Sequence, residues 1–336
     1  MTDSPQENKV PVVADKNKVK SSAEMASSVT LLTSGIRKSI MDYRLENGRT
    51  YHRFKDGKYN FPNDELELER LDLVHRLCLL TLNQQLGIAP PCKKDAKVGR
   101  VLDVGTGTGI WAIQFAEEHP EADVFAIDLS AIQPDKAPLN VKFEIVDIED
   151  AWAFTHPFQY IHCRSLASGI TKWEVFLQRC YDNLKPGGYL ELQESAILTS
   201  DDGTLKPEHA LFKWSRRLMD ALFRLGAAWV DTPSLRNVML EVGFEDVALT
   251  TYKWPINSWP EDKHLKELGT LNHQNFMMGV EAMSMAPFTR GLGWCARLAQ
   301  ASLIEVRREG SDTNIHAYWP RHVLVGRKPA TPNPAC

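Results

Sequence analysis

The first regular apolar pattern in the chain follows a turn at YNFP. In DELELERLDLVHRLCLLTLNQQLG, Leu66, Leu73, Leu77 and Leu80 fall close to one helical face, and Leu86 precedes Gly87, a helix-stopping residue type. We read residues 39–87 as a helical segment, with Asn63 or Asp64 placed to cap its main helix. Residues 1 to 30 have neither aromatic side chains nor periodicity and read as a disordered tail. APPCKKDAKVG then forms a Pro/Lys-rich connector.

Beyond the connector the pattern changes. RVLDVG is a short apolar strand, TGTG a turn, and IWAIQFAEEHP a helix closed by Pro120. DVFAIDLS, VKFEIVDIED and FQYIHCRS read as strands. WEVFLQRCYDNLKPGG reads as a helix ending in a Pro-Gly-Gly turn, and YLELQES as a fifth strand. Strands alternating with helices at this spacing predict a parallel, doubly wound sheet. An amphipathic helix from Gly203 to about Leu225 follows, then the helix TPSLRNVMLEVGF with its Gly stop and the strand EDVALTTYKW. Residues 259–309 read as helical, and HVLVG as a last strand.

With 336 residues, 43% of them hydrophobic, the chain can bury a large α/β core. A formal net charge of −4 offers no electrostatic grip on nucleic acid or anionic lipid, so neither is expected as a partner. Cys78, Cys92, Cys163, Cys180, Cys295 and Cys336 form no CxxC pair, and their scatter argues against a disulfide framework. Reduced thiols are expected, and with them a cytoplasmic or nuclear setting. The N-terminus has no apolar core of a signal peptide, no run is long enough to cross a membrane, and no cluster has metal-ligand spacing. No metal is therefore expected.

The chemistry concentrates in DVGTGTG. Gly105, Gly107 and Gly109 lie between a buried strand and a helix, where a sharp turn lets a ligand approach the backbone and free N–H groups would receive an anion. A nicotinamide-type fingerprint, GxGxxG, would require its third glycine at the position that Ile110 holds. The spacing here is GxGxG, preceded by Asp103. Asp128 ends the second strand about twenty residues on, where a carboxylate accepts both hydroxyls of a ribose. Asp147 follows the third strand.

The GxGxG spacing with its acid resembles motif I of the class I methyltransferases, and LKPGGYLEL resembles the turn before the fifth strand of that fold. YRLENGRTYHRFKDGKYNFPNDELELERLDLVH, DVGTGTGIWAI, FQYIHCRSL and AYWPRHVLVGRKP resemble the fungal LaeA-like methyltransferases, over roughly Tyr43 to Pro329. The resemblance implies a class I methyltransferase Rossmann-like α/β fold. Its elements would be a mostly parallel seven-stranded sheet, a helical N-terminal lid over 39–87, a methyltransferase domain over 100–329, and helical cap insertions near 204–230 and 259–309. It implies S-adenosyl-L-methionine as cofactor, bound by Tyr51, Asp103, Gly105, Thr106, Gly107, Gly109, Asp128, Leu129, Asp147, Ile148 and Arg164. Asp147 would meet the adenine amino group and Ile148 its ring, Tyr51 would lie near the sulfonium, and Arg164 would hold a carboxylate. His52, His273 and Met277 are candidates for the acceptor pocket, with Met adapting to irregular ligands. Methyl transfer from a sulfonium needs alignment more than a base, and no catalytic residue is singled out.

Two functions stay open. One is a cytoplasmic enzyme that methylates a small molecule of fungal secondary metabolism on O, N or S. The other is a nuclear regulator of the LaeA type working through velvet-type partners. The intact glycine motif and acids, and a tail without a basic cluster, favour the enzyme.

Overall fold

The computed structural model describes residues 43–227 and 231–330. The expected tail, the start of the lid segment, the end of the first cap insertion with Trp229, and Cys336 lie outside the described residues.

The central sheet has seven strands: β3 (Arg100–Val104), β4 (Asp123–Asp128), β5 (Val141–Ile145), β6 (Phe158–Arg164), β7 (Leu184–Ser195), β8 (Glu245–Pro255) and β9 (Tyr318–Arg327). Their spatial order is β5-β4-β3-β6-β7-β9-β8. The first five run parallel, while β9 is antiparallel to both β7 and β8. The mostly parallel sheet read from the sequence is thus present. Alternate residues feed opposite faces. Leu102, Val104, Ile161 and Leu190 pack under α3 (Trp173–Asn183) and α5 (Thr232–Val242). Val101, Val124, Ala126 and Tyr160 pack under α2 (Ile110–Glu118). Both faces are covered, which is why the strands read as nearly continuous apolar runs.

A separate apolar cluster forms the cap. It joins α4 (Ala210–Arg224), α6 (Lys263–Ala282), a π-turn at Pro287–Gly291 and α7 (Ala296–Gly310) through Trp214, Phe276, Phe288 and Leu303. Among the described residues no helix is long and apolar enough to cross a membrane, and no His/Cys/Asp/Glu group could hold a metal.

The N-terminal segment corrects the sequence reading. From Tyr43, where the described residues begin, it is not helical throughout: Tyr43–Glu46 (β1) and Arg49–His52 (β2) form a hairpin, and among the described residues up to Gly87 the helix is Glu65–Thr81 (α1). The hairpin turns on Asn47 and Gly48, at φ of 51° and 77°, the left-handed pair that a two-residue hairpin loop requires. Asp64 caps α1 by accepting from the Glu67 N–H, as expected. The helix ends six residues before Gly87, with Asn83 and Gln84 in the left-handed region. Leu73 and Leu77 are buried, but Leu66 points outward at 62% exposure. Lys185-Pro-Gly-Gly is the opening of β7 rather than a turn before it.

Candidate active site

A cleft opens at the carboxyl ends of β3 to β6, where ligands bind in doubly wound sheets. Gly105, Gly107, Asp128, Leu129, Asp147, Ile148 and Arg164, all singled out by the sequence, line it. Leu71 of α1 and Lys58, Tyr59, Pro62 and Asn63 of the preceding loop form its other wall.

Gly105 and Gly107 sit at φ of 69° and 57°. Their own amides are engaged within the protein. The N–H groups of Gly105 and Thr106 donate to the Ile127 carbonyl, and that of Gly107 donates to Asp128 Oδ2 at 2.8 Å. Three further candidates support the turn from outside the cleft. Asp103 is buried beneath it, accepting from Thr106 Oγ1 at 2.6 Å and lying 2.7 Å from His162 Nδ1. Gly109 starts α2 at φ of 81°, where a Cβ would stand 2.7 Å from the Phe143 ring. Asp103, Thr106 and Gly109 thus hold the shape of the turn rather than line the cleft.

Asp128 also accepts from the Ser130 N–H at 2.9 Å, so both carboxylate oxygens are aimed by backbone amides. Burial pushes its pKa up to about 6, against those donors. Asp147 accepts from the Glu149 N–H and lies 3.3 Å from both Lys55 Nζ and Lys58 Nζ. Burial alone would raise its pKa, but the amide and the two ammoniums outweigh it and hold the carboxyl below its usual range.

Arg164 brings a cationic group to the cleft. Among the described residues no carboxylate lies within 4.0 Å of it, and its Nη1 meets His75 Nδ1 at 3.2 Å. The other His75 nitrogen faces Gln114 Oε1 at 2.9 Å. Burial and the Arg164 charge push the His75 pKa down to about 4, so the ring is neutral, donates to Gln114 and accepts from Arg164. The guanidinium is thereby fixed while its charge stays unmatched, which suits the carboxylate of an amino-acid ligand. The sequence reading missed His75 and Gln114, which lie on the helical faces that meet over the glycine turn.

The lid residues are placed differently from expectation. Tyr51 is fully buried outside the cleft, its ring 4.7 Å from the Arg290 guanidinium and its pKa pushed up to about 12, mainly by burial. Arg290 also pairs with Glu46, so Tyr51 anchors the hairpin to the cap. His52 is buried with its ring 6.2 Å from that of Tyr59 and lines neither the cleft nor the cavity beyond it. Tyr59, not Tyr51, lines the cleft.

Lys55 reaches Asp150 at 2.6 Å and Lys58 reaches Glu149 at 2.6 Å, tying the lid loop across the cleft to the segment after β5. The Lys55–Asp150 pair is exposed and contributes little alone, whereas Lys58 is held by the largely buried Glu149 and Asp147. The loop is expected to open at its Lys55 end first, and less often with ligand bound than without. Tryptic cleavage at Lys55 and Lys58 should slow roughly tenfold or more with saturating S-adenosylhomocysteine, because ligand linkage depopulates the open form. Equal cleavage rates would show that the loop does not close over the ligand.

A second cavity, of about 190 Å³, adjoins the cleft and shares Tyr59, Leu71 and Ser165 with it. Ser165 holds a left-handed φ of 58° at this junction, a strained conformation of the kind found where function fixes the backbone. Phe61, Trp214, Leu218, Met219, Trp254 and Trp319 supply the apolar walls. His273 and Met277 do not line it. His273 lies near Ser311 at 3.4 Å, and Met277 is 37% exposed. Asn272 and Asn275 face the cavity instead, one to two positions away on α6. Asn275 accepts from Arg70 Nη1 at 3.0 Å, and Arg70 is matched by both oxygens of buried Glu67.

Two further charged groups reach this cavity, Glu194 at the end of β7 and Arg321 on β9. Glu194 accepts from the Leu166 N–H at 2.7 Å and the Ala167 N–H at 3.3 Å. Burial pushes its pKa up to about 7, opposed by Arg321 and those amides. Neither residue stood out in the sequence. Glu194 stands next to the last residue of β7, while Arg321 lies near the amino end of β9 and reaches the site only through the antiparallel pairing of the two strands.

A family model described as a methyltransferase domain matches residues 73–249. Methyltransferase pytC of Aspergillus terreus is 40% identical over 310 residues, covering 92% of this chain and 94% of its own length. Secondary metabolism regulator LAE1 of Cochliobolus heterostrophus is 36% identical, covering 85% of this chain and 94% of its own. A phosphoethanolamine N-methyltransferase 2 of Haemonchus contortus, solved with phosphomonomethylethanolamine and S-adenosylhomocysteine, aligns over 94% of this chain and 76% of its own at 15% identity and a TM-score of 0.49.

Proposed function

The chain belongs to the methyltransferase domain family, and from that premise we propose that it transfers the methyl group of S-adenosylmethionine to a small-molecule acceptor in fungal secondary metabolism. The observation that carries the small-molecule reading is the aromatic-lined cavity joined to the cofactor cleft at Tyr59, Leu71 and Ser165. A cavity of this lining fits a compact organic acceptor.

The cleft suits the cofactor residue by residue. Asp128 presents oxygens to the ribose, Asp147 and Ile148 flank the adenine, and Arg164 holds the methionine carboxylate. When bound, the cofactor supplies a methyl on a sulfonium, already a good leaving group. The protein's part is then alignment and exclusion of water. Tyr59 and Leu71, on the lid side, border both compartments and set the line between sulfur and acceptor atom. Glu194, with its raised pKa, is placed to take a proton from a hydroxyl acceptor.

Comparative metabolite profiling of a deletion strain tests this reading. One compound losing a single methyl in the mutant is the expected result. Profiles that change broadly, with the protein co-purifying with velvet-type partners, would favour the regulator reading that the likeness to LAE1 keeps in view.

A further inference from the structure

Arg321 is only 3% exposed and borders the acceptor cavity. Its Nη1 donates to Ser165 Oγ at 3.2 Å and Ser195 Oγ at 2.7 Å, and its Nη2 has only a 3.9 Å contact with Cys78 Sγ. Its Nε donates to nothing, and no carboxylate lies within 4.0 Å among the described residues. Its guanidinium lies 5.0 Å from the Trp254 ring centre. Arg70, the other arginine facing the cavity, is neutralised by Glu67 at 2.6 Å. Arg321 is not. Glu194 acts on it only from beyond contact distance, and a buried guanidinium whose contacts are hydroxyls, a thiol and a ring is costly unless a ligand completes them.

We propose that Arg321 forms an acceptor subsite for an anionic oxygen, so that the acceptor is a flat aromatic or conjugated oxygen acid: a phenol, an enol or a carboxylic acid. This rests on the methyltransferase reading and adds the acceptor class to it. An amine acceptor in its ammonium form would meet here a guanidinium with no carboxylate in contact. Trp214, Trp254 and Trp319 line the cavity with aromatic surface suited to a flat body, and guanidinium hydrogen bonds favour oxygen anions. In the transfer, an acceptor oxygen lone pair forms the new O–CH₃ bond while the S–CH₃ pair returns to sulfur as a neutral thioether. A hydroxyl acceptor's proton passes to Glu194; a carboxylate or phenolate has none to lose.

Calorimetry with four two-ring probes tests the subsite: 4-nitro-1-naphthol as its phenolate, 2-naphthoate, 2-naphthamide and 2-naphthylmethylammonium. Each is measured on the free and the S-adenosylhomocysteine-loaded protein. At least one anion should bind tenfold or more tighter than the amide and the ammonium. Phenolate over carboxylate would point to a phenol or enol acceptor, and the reverse to an acid. In Arg321→Gln the preference should vanish, while Arg321→Lys should keep part of it and S-adenosylhomocysteine should bind Arg321→Gln within twofold of wild type. An ammonium preference, no preference, no binding of any probe, or an anion preference that survives Arg321→Gln would overturn the subsite. Failure to bind S-adenosylhomocysteine would instead sink the methyltransferase reading, and the probes on the free protein would still judge the subsite.

Discussion

Replacing Asp128 with alanine is expected to weaken S-adenosylhomocysteine binding by at least about a hundredfold. Two charge-assisted bonds to ribose hydroxyls contribute about 1.5–3 kcal/mol each, and about 1.4 kcal/mol corresponds to tenfold in affinity. The loss is not confined to the ligand. Asp128 also accepts from the Gly107 and Ser130 amides, so the alanine variant leaves two donors unpaired and loosens the turn itself. The pH dependence separates the two effects. Burial raises the carboxyl from 3.8 to about 6, so the folded state binds the proton more tightly than the unfolded chain. The stability this provides is fully present below pH 3.8 and is lost as pH rises through about 6. Ribose binding needs the ionised form, so affinity should instead rise through that range. Calorimetry at pH 5 and pH 7.5 should show this rise in wild type and its loss in Asp128→Asn. A pH-independent affinity in wild type would assign the ribose to another group.

Gly105→Val should damage the fold as well as the site. A Cβ at Gly105 would stand 2.3 Å from Leu166 Cδ2, at a φ of 69° that a β-branched residue resists. The left-handed backbone costs about 1–2 kcal/mol and overpacking about 1–3 kcal/mol, so a destabilisation of about 3 kcal/mol is expected. Leu166 lines the cleft, and its displacement would remove cofactor binding too. Gly107→Ala is the informative contrast, since its Cβ would meet only Leu71, at 3.7 Å. It should leave stability closer to wild type while still weakening S-adenosylhomocysteine. Urea denaturation and calorimetry on both variants measure this. A Gly105→Val protein with wild-type stability and affinity would show that Leu166 and the turn yield readily.

The glycine turn, Asp128, Asp147 and Arg164 were legible because each sits at a fixed offset from a strand end. The hairpin was legible too, but was missed. Asn47-Gly48 is the strongest short hairpin signal, and the long apolar run after Asp64 drew the whole segment into a helical reading. The acceptor side was less legible for a physical reason. Its polar groups come from strands and helices far apart in sequence, and on α6 a shift of one or two residues exchanges His273 and Met277 for Asn272 and Asn275. Charged side chains inside strands, such as Glu194 and Arg321, give no periodic signal of which strand end they will join.

The placement of β9 between β7 and β8 has a consequence for how the protein is made. Among the described residues β8 pairs with β9 alone, and β9 leaves the ribosome more than sixty residues after it. A nascent chain complete through α7 would already possess the glycine turn and five parallel strands, yet its edge strand would have nothing to join. Pairings between such distant segments form late and slowly. Competence to recognise an acceptor should therefore arrive only once β9 has been translated, when Arg321 is carried into the sheet. A stop codon before Tyr318 should release a chain with both β8 and its acceptor pocket unassembled, although most of the cofactor cleft has already been synthesised.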